Sequence, residues 1–144
     1  MSWEMVELRE VCEVVSGATP KREVAAYWNG DIDWVTPKDL TDLEGKYIDE
    51  APEKITEEGY NSCSTHLLPP GTVLLSSRAP IGHLAITKRP VCTNQGFKNF
   101  VPGPQVDAEY LYWALKRDVP KLQAMGTGST FKEISKAQVE KYKI

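Results

Sequence analysis

The feature that most constrains this chain is the break at Pro102-Gly103-Pro104, where the apolar pattern changes its period. Before it, short apolar runs alternate with Gly, Pro, Asn and Asp, as strands and tight turns require. After it, Leu111, Ala114, Leu115, Val119 and Leu122 recur at helical spacing. A chain ordered this way is expected to be α+β, with strands first and helices later. At 144 residues it has the length for one domain around a single core. The expected organisation is one unit over 1–144, β-rich over 1–101 and helical over 107–144.

Local signals fill in the elements. Leu8, Val11 and Val15 would share a helix face, so Val6–Val15 reads as a short helix stopped by Gly17. Tyr27–Asp31 reads as a turn and Ile32–Val35 as a short alternating strand, with Tyr47-Ile48 as an edge strand. Thr56 is expected to cap a helix whose Glu57 and Glu58 suit the positive end of the dipole. Strands are expected at Thr72–Ser76, His83–Thr87 and Val91–Thr93, ending at Phe100-Val101. Asp107 should cap the first late helix, and Pro120 should kink or restart it. Ser135 with Gln138 is a capping-box pattern, and Tyr142-Lys143-Ile144 reads as the start of a strand.

The stretch Ser76–Phe97 concentrates polar groups at strand ends and turns. Arg78, Asn94 and Gln95 lie in it, and such side chains pair bidentately with base edges. A β-hairpin with solvated turns accounts for the same composition. The net charge of −3 argues against nonspecific grip on nucleic acid, which comes from excess Lys and Arg. The three separated cysteines, Cys12, Cys63 and Cys92, fit a reducing cytoplasm better than a disulfide scaffold. No apolar run has membrane-spanning length.

Other chemistries have thinner support. The loop Gly126–Thr130 follows a helix and lacks the Lys of a phosphate-binding P-loop. Cys63-x-x-His66 is half of a metal pair without a close second half. No nucleophile sits in a G-x-S-x-G elbow. Asp33 with Glu44-Gly45-Lys46 resembles the Asp, Glu and Lys of a Mg²⁺-dependent nuclease, although Gly45 is a poor residue for a strand that must aim two side chains. Trp3, Trp28, Trp34 and Trp113 could stack bases or fill the core.

Taken in order, the motifs resemble the target recognition domain of the specificity subunit of type I restriction-modification enzymes. They are Trp3 with Val6 and Leu8, Ser16–Pro20, Tyr27–Val35, Lys38–Leu40, Ile55–Gly59, Leu68–Leu74, Ser77–Gly82, Thr93–Phe97, Tyr110–Tyr112 and Gly126–Phe131. The likeness covers nearly the whole chain. It implies a cytoplasmic module, without chemistry or cofactor of its own, that binds one half of a bipartite double-stranded DNA site through the major groove. It further implies partnership with methyltransferase and restriction subunits. The family usually carries two such domains joined by long conserved helices. By that pattern one such domain is expected here, with the conserved spacer helix absent, and a homodimer is one assembly open to it if it is a half-subunit. The rival readings are the Mg²⁺-dependent nuclease and a protein-interaction module without DNA affinity.

The DNA-facing rim is expected at Lys38, Arg78, Gln95, Lys98, Thr127, Ser129 and Thr130. Each follows a strand or sits in a turn, where side chains converge on one edge. Arg78 is the centre of that expectation, because its planar fork suits guanine and phosphate alike. The alternative is that Arg78 pairs with a carboxylate such as Asp39 and pins the hairpin.

Overall fold

The computed structural model describes residues 5–78, 80–127 and 132–144. A one-turn helix α1 (Leu8–Val11) runs straight into β1 (Cys12–Ser16). A 3-10 turn at Ala25–Tyr27 leads to β2 (Trp28–Val35), then α2 (Pro37–Thr41), β3 (Tyr47–Ile48), β4 (Glu53–Ile55) and α3 (Glu57–Asn61). The central strands are β5 (Val73–Ser76), β6 (Leu84–Thr87), β7 (Cys92–Thr93) and β8 (Phe97–Pro102). The helices α4 (Ala108–Arg117), α5 (Val119–Met125) and α6 (Lys136–Lys141) follow. The fold is α+β.

The strands form two sheets, ordered β1-β8-β5-β6-β3 and β4-β2-β7. In the larger sheet β5 lies between β8 and β6, antiparallel to both, and β3 joins the edge parallel to β6. Val73, Leu74 and Leu75 are all fully buried. Val73 and Leu75 face Leu111, Leu115, Leu122 and Val139 beneath the helices, while Leu74 faces Val35, Leu68, Val91 and Phe97 from the other side. A strand covered on both faces reads as a continuous apolar run rather than an alternation. Each such leucine contributes about 2–3 kcal/mol by leaving water. Trp34, Ile55 and Cys92 form a smaller core in the second sheet.

Local chemistry sets the caps. The Gly59 amide donates to Thr56 Oγ1 at 3.1 Å. Asp107 accepts from the Tyr110 amide, and Ser135 and Gln138 form the reciprocal box. Asp118 divides α4 from α5, and Pro120 sits in the first turn of α5, where its missing N–H costs nothing. Val6 and Ile144 exchange backbone hydrogen bonds and the Leu8 amide donates to the Tyr142 carbonyl, so the last residues lie beside the first described ones.

Three expectations change. Val6–Val15 is helical only over Leu8–Val11; beyond that, Cys12 and Val14 turn inward, Glu13 turns out, and β8 takes the backbone groups. The β-branched Val14 and Val15 favour that outcome. Tyr27–Asp31 is not a free turn, because β2 already starts at Trp28. Trp28 and Ile32 both oppose Ile55, and the intervening residues bulge, with Asn29 at φ 63°. Finally, the strand expected over Val91–Thr93 is shorter, β7 at Cys92–Thr93, and lies in the second sheet, parallel to β2.

Candidate nucleic-acid interface

The site is built outward from the end of β5. Ser76 Oγ accepts from the Gly82 and His83 amides at 3.1 and 2.9 Å and donates to the Pro80 carbonyl at 2.9 Å. One hydroxyl thus organises the turn into β6. Gly82 adopts φ +113° there and packs on Val119, so a side chain would be strained and crowded. The next residue, Ser77, is held on both sides. Its amide donates to the Gly96 carbonyl and its carbonyl accepts from the Ile134 amide, each at 2.9 Å. That pairing leaves the following residue, Arg78, exposed beyond the end of β5.

Arg78 Nε donates to Glu133 Oε2 at 3.1 Å. Lys98 Nζ lies 3.6 Å from the same oxygen and donates to Ser77 Oγ at 3.3 Å. Glu133 is fixed through its backbone, exchanging two 3.0 Å hydrogen bonds with Thr127. On the other side of Gly96, the Asn94 side chain accepts from the Gly96 amide and closes a tight turn. Gln95, exposed at that turn, accepts from Thr19 Oγ1 at 2.5 Å. Gly96 also rests against Pro37, the first residue of α2, so exposed Lys38 stands beside this turn.

Contacts between Pro37 and Gly96, Gly96 and Ser77, Arg78 and Glu133, and Glu133 and Thr127 thus link the neighbourhoods of Lys38, Gln95, Arg78 and Thr127. Lys98 differs from the expectation of a strand-end position. It is the second residue of β8 and only 7% exposed, because its neighbour Phe97 enters the core and the strand continues to Pro102. Burial lowers the pKa of its ammonium, and Glu133 opposes that shift. The carboxylate on Arg78 is Glu133 and not Asp39, which accepts from the Thr36 amide at 2.8 Å and closes the cap of α2. Ser129 and Thr130 lie outside the described residues, as does Trp3. Thr19 and Glu133 were not anticipated; Thr19 sits in a quoted motif, but nothing local in the sequence marks either partner.

The rival sites do not assemble. Asp33 is 2% exposed and bound by Lys54 at 2.6 Å, Arg89 at 3.0 Å and the Ala51 amide at 3.2 Å. Glu44 is exposed on a loop, and Lys46 pairs instead with Glu109 at 3.1 Å. Among the described residues no group of three or more His, Cys, Asp or Glu is placed to hold a metal. His66 is exposed, while the Cys63 thiol faces the Gly59 carbonyl at 3.8 Å. Trp28 and Trp34 pack edge to face, with the Arg22 guanidinium 4.3 and 4.9 Å from their rings. Among the described residues no helix is long and apolar enough to cross a membrane.

Residues 1–144 match the family of the type I restriction modification DNA specificity domain. The chain belongs to this family. It is the family whose motifs were found in order along the sequence. Over 144 residues the chain is 42% identical to the type I restriction enzyme MjaIX specificity subunit of Methanocaldococcus jannaschii, covering 99% of this chain and 33% of the relative. Over 115 residues it is 24% identical to the HindI specificity subunit of Haemophilus influenzae, covering 80% and 25%. The specificity domain described here thus spans a third or less of those relatives. Its fold is shared with the HsdS subunit of Thermoanaerobacter tengcongensis, with a TM-score of 0.74 at 23% identity over 98% of this chain and 32% of the other. A chain from a structure of complex assembly and conformational transition in a type I restriction-modification system gives a TM-score of 0.78 at 23% identity, covering 99% and 33%.

Proposed function

We propose that this chain is a sequence-recognition module for double-stranded DNA that reads one half of a bipartite site in a type I restriction-modification system. The observation that carries the reading is the match of the whole chain to a DNA specificity domain. The module performs no chemistry. It places a partner methyltransferase and, in the larger complex, a restriction subunit at the site, in the cytoplasm. As a half-subunit it would pair with a second copy, so that two rims read two half-sites.

The DNA-facing groups of this reading are Lys38, Gln95, Arg78 and Thr127, with Ser129 and Thr130 assigned to the same role from the sequence alone. Lys98 acts from behind, through Glu133. The β-strands beneath hold these groups in place, so the edge can meet a groove without rearranging. The nuclease reading is set aside, because Asp33 and Lys46 are held in separate ion pairs and Glu44 is exposed on a loop.

The test is selection of bound duplexes from a random pool, with the partner methyltransferase present. A recovered consensus covering one half-site supports the reading. Recovery of unselected sequence, with the partner bound, contradicts it.

A further inference from the structure

The Arg78–Glu133 pair has two explanations. It could fasten the segment 132–134 to the end of β5, or it could serve the exposed guanidinium. Fastening is already done by the backbone. Thr127 and Glu133 exchange two hydrogen bonds, and the Ile134 amide donates to the Ser77 carbonyl. The ion pair adds little to that, since its side chains are 47% and 38% exposed and water screens such pairs.

The geometry fits the second role. Glu133 Oε2 takes the Nε–H of Arg78, and no acceptor for the two Nη groups is found among the described residues. Holding a guanidinium by Nε leaves its Nη donors for a pair of acceptors, such as guanine O6 and N7 or two phosphate oxygens. A long flexible side chain restrained in this way loses less freedom when it binds. Lys98 completes the arrangement. It adds a second cation to one carboxylate, so Arg78, Lys98 and Glu133 together carry net positive charge within a chain of net charge −3. Without Lys98, Glu133 would cancel the charge of Arg78 at a surface that must meet phosphates.

We infer that Glu133 is a positioning residue for recognition: it orients Arg78 toward DNA, and Lys98 offsets its charge. The inference rests on the proposed DNA-reading role and specifies how its central side chain is held.

The experiment uses a duplex selected by the wild-type chain with its methyltransferase partner, and a panel of that duplex with single base-pair changes. Affinity and melting temperature are measured for Arg78→Ala, Glu133→Ala, Glu133→Gln and the double variant Arg78→Ala/Glu133→Ala. Glu133→Ala is expected to weaken binding roughly tenfold and to flatten discrimination at the base pair where Arg78→Ala does so. Glu133→Gln keeps an oxygen that accepts from Nε and should restore most of the affinity. The double variant should bind no worse than Arg78→Ala alone, and melting temperatures should stay near the wild type.

Unchanged or tighter binding by Glu133→Ala, with Arg78→Ala still defective, overturns the inference and leaves the DNA-reading role standing. An equal loss from Glu133→Ala in the presence and absence of Arg78, or a loss that tracks melting temperature, assigns Glu133 a structural role and overturns it too. A random pool that yields no preferred sequence removes both the inference and the reading beneath it.

Discussion

Gly17 packs against the backbone of Thr93: a Cβ at position 17 would overlap the Thr93 carbonyl oxygen, the Asn94 carbonyl oxygen and Thr93 Oγ1. The adjacent Ala18 amide donates to that same Thr93 carbonyl at 3.1 Å. This is where the chain leaving β1 in the larger sheet meets β7 in the smaller one. Two backbones approach so closely that hydrogen is the only side chain that fits.

Gly17→Ala should therefore destabilise the domain by about 1–3 kcal/mol or more, since the crowding atoms are mainly backbone and cannot rotate away. Denaturant unfolding monitored by tryptophan fluorescence checks this. An unchanged midpoint would show that the two sheets can separate there without cost.

Asp33 is a structural carboxylate in this account. Asp33→Ala leaves Lys54 and Arg89 without their buried partner, but both cations retain access to solvent. The expected loss is about 1–3 kcal/mol, below the 3–5 typical of fully buried broken pairs. Purified wild type, Asp33→Ala and Glu44→Ala should all leave supercoiled plasmid intact in Mg²⁺. Wild-type nicking that both variants abolish would return the nuclease reading.

Alkaline pH should weaken the fold. Burial pushes the Cys12 and Cys92 thiols from 9.0 up to about 11. Between those values the unfolded chain has released protons that the folded chain still holds, so stability falls as pH rises. It is intact below about pH 9 and declines by up to about 2–3 kcal/mol per thiol by pH 11. Desolvation first, then the Asp118 hydrogen bond, raises Tyr142 from 10.0 to about 12, which extends the decline in the same direction. Melting temperatures between pH 8 and 11 report it, and Cys92→Ala should make the curve shallower. A curve that stays level over that range would contradict the assignment.

Without a partner the chain should bind random duplex weakly, at roughly 10⁻⁴–10⁻⁶ M, because its net charge is −3. Fluorescence anisotropy at graded salt measures this. Tight, sequence-specific binding by the chain alone would show that no partner is required.

The elements that depend on neighbours in sequence were legible from the sequence. The caps at Thr56, Asp107 and Ser135 use groups three residues apart, and the side chain and amide meet in any helix that starts there. The apolar run within Thr72–Ser76 marked a strand for a similar reason. What could not be read is which distant groups meet. Arg78 pairs with Glu133, 55 residues away, rather than with Asp39, and β7 takes the distant β2 as its partner. A period of two says that residues alternate between faces and says nothing about which strand lies alongside. Lys98 is buried because it is the second residue of a strand, β8, that runs from Phe97 to Pro102, whereas the sequence placed it after a turn.

The most direct measurement is the affinity of Arg78→Ala, assembled with the methyltransferase partner, for the selected duplex across a range of salt, alongside its melting temperature. The account predicts that binding weakens by about 1–3 kcal/mol while the melting temperature stays near the wild type. A loss confined to one base pair marks base reading, and a uniform loss with a shallower salt slope marks phosphate contact. A domain that melts well below the wild type, with binding reduced only in proportion to the folded fraction, would contradict the account and make Arg78 a structural residue.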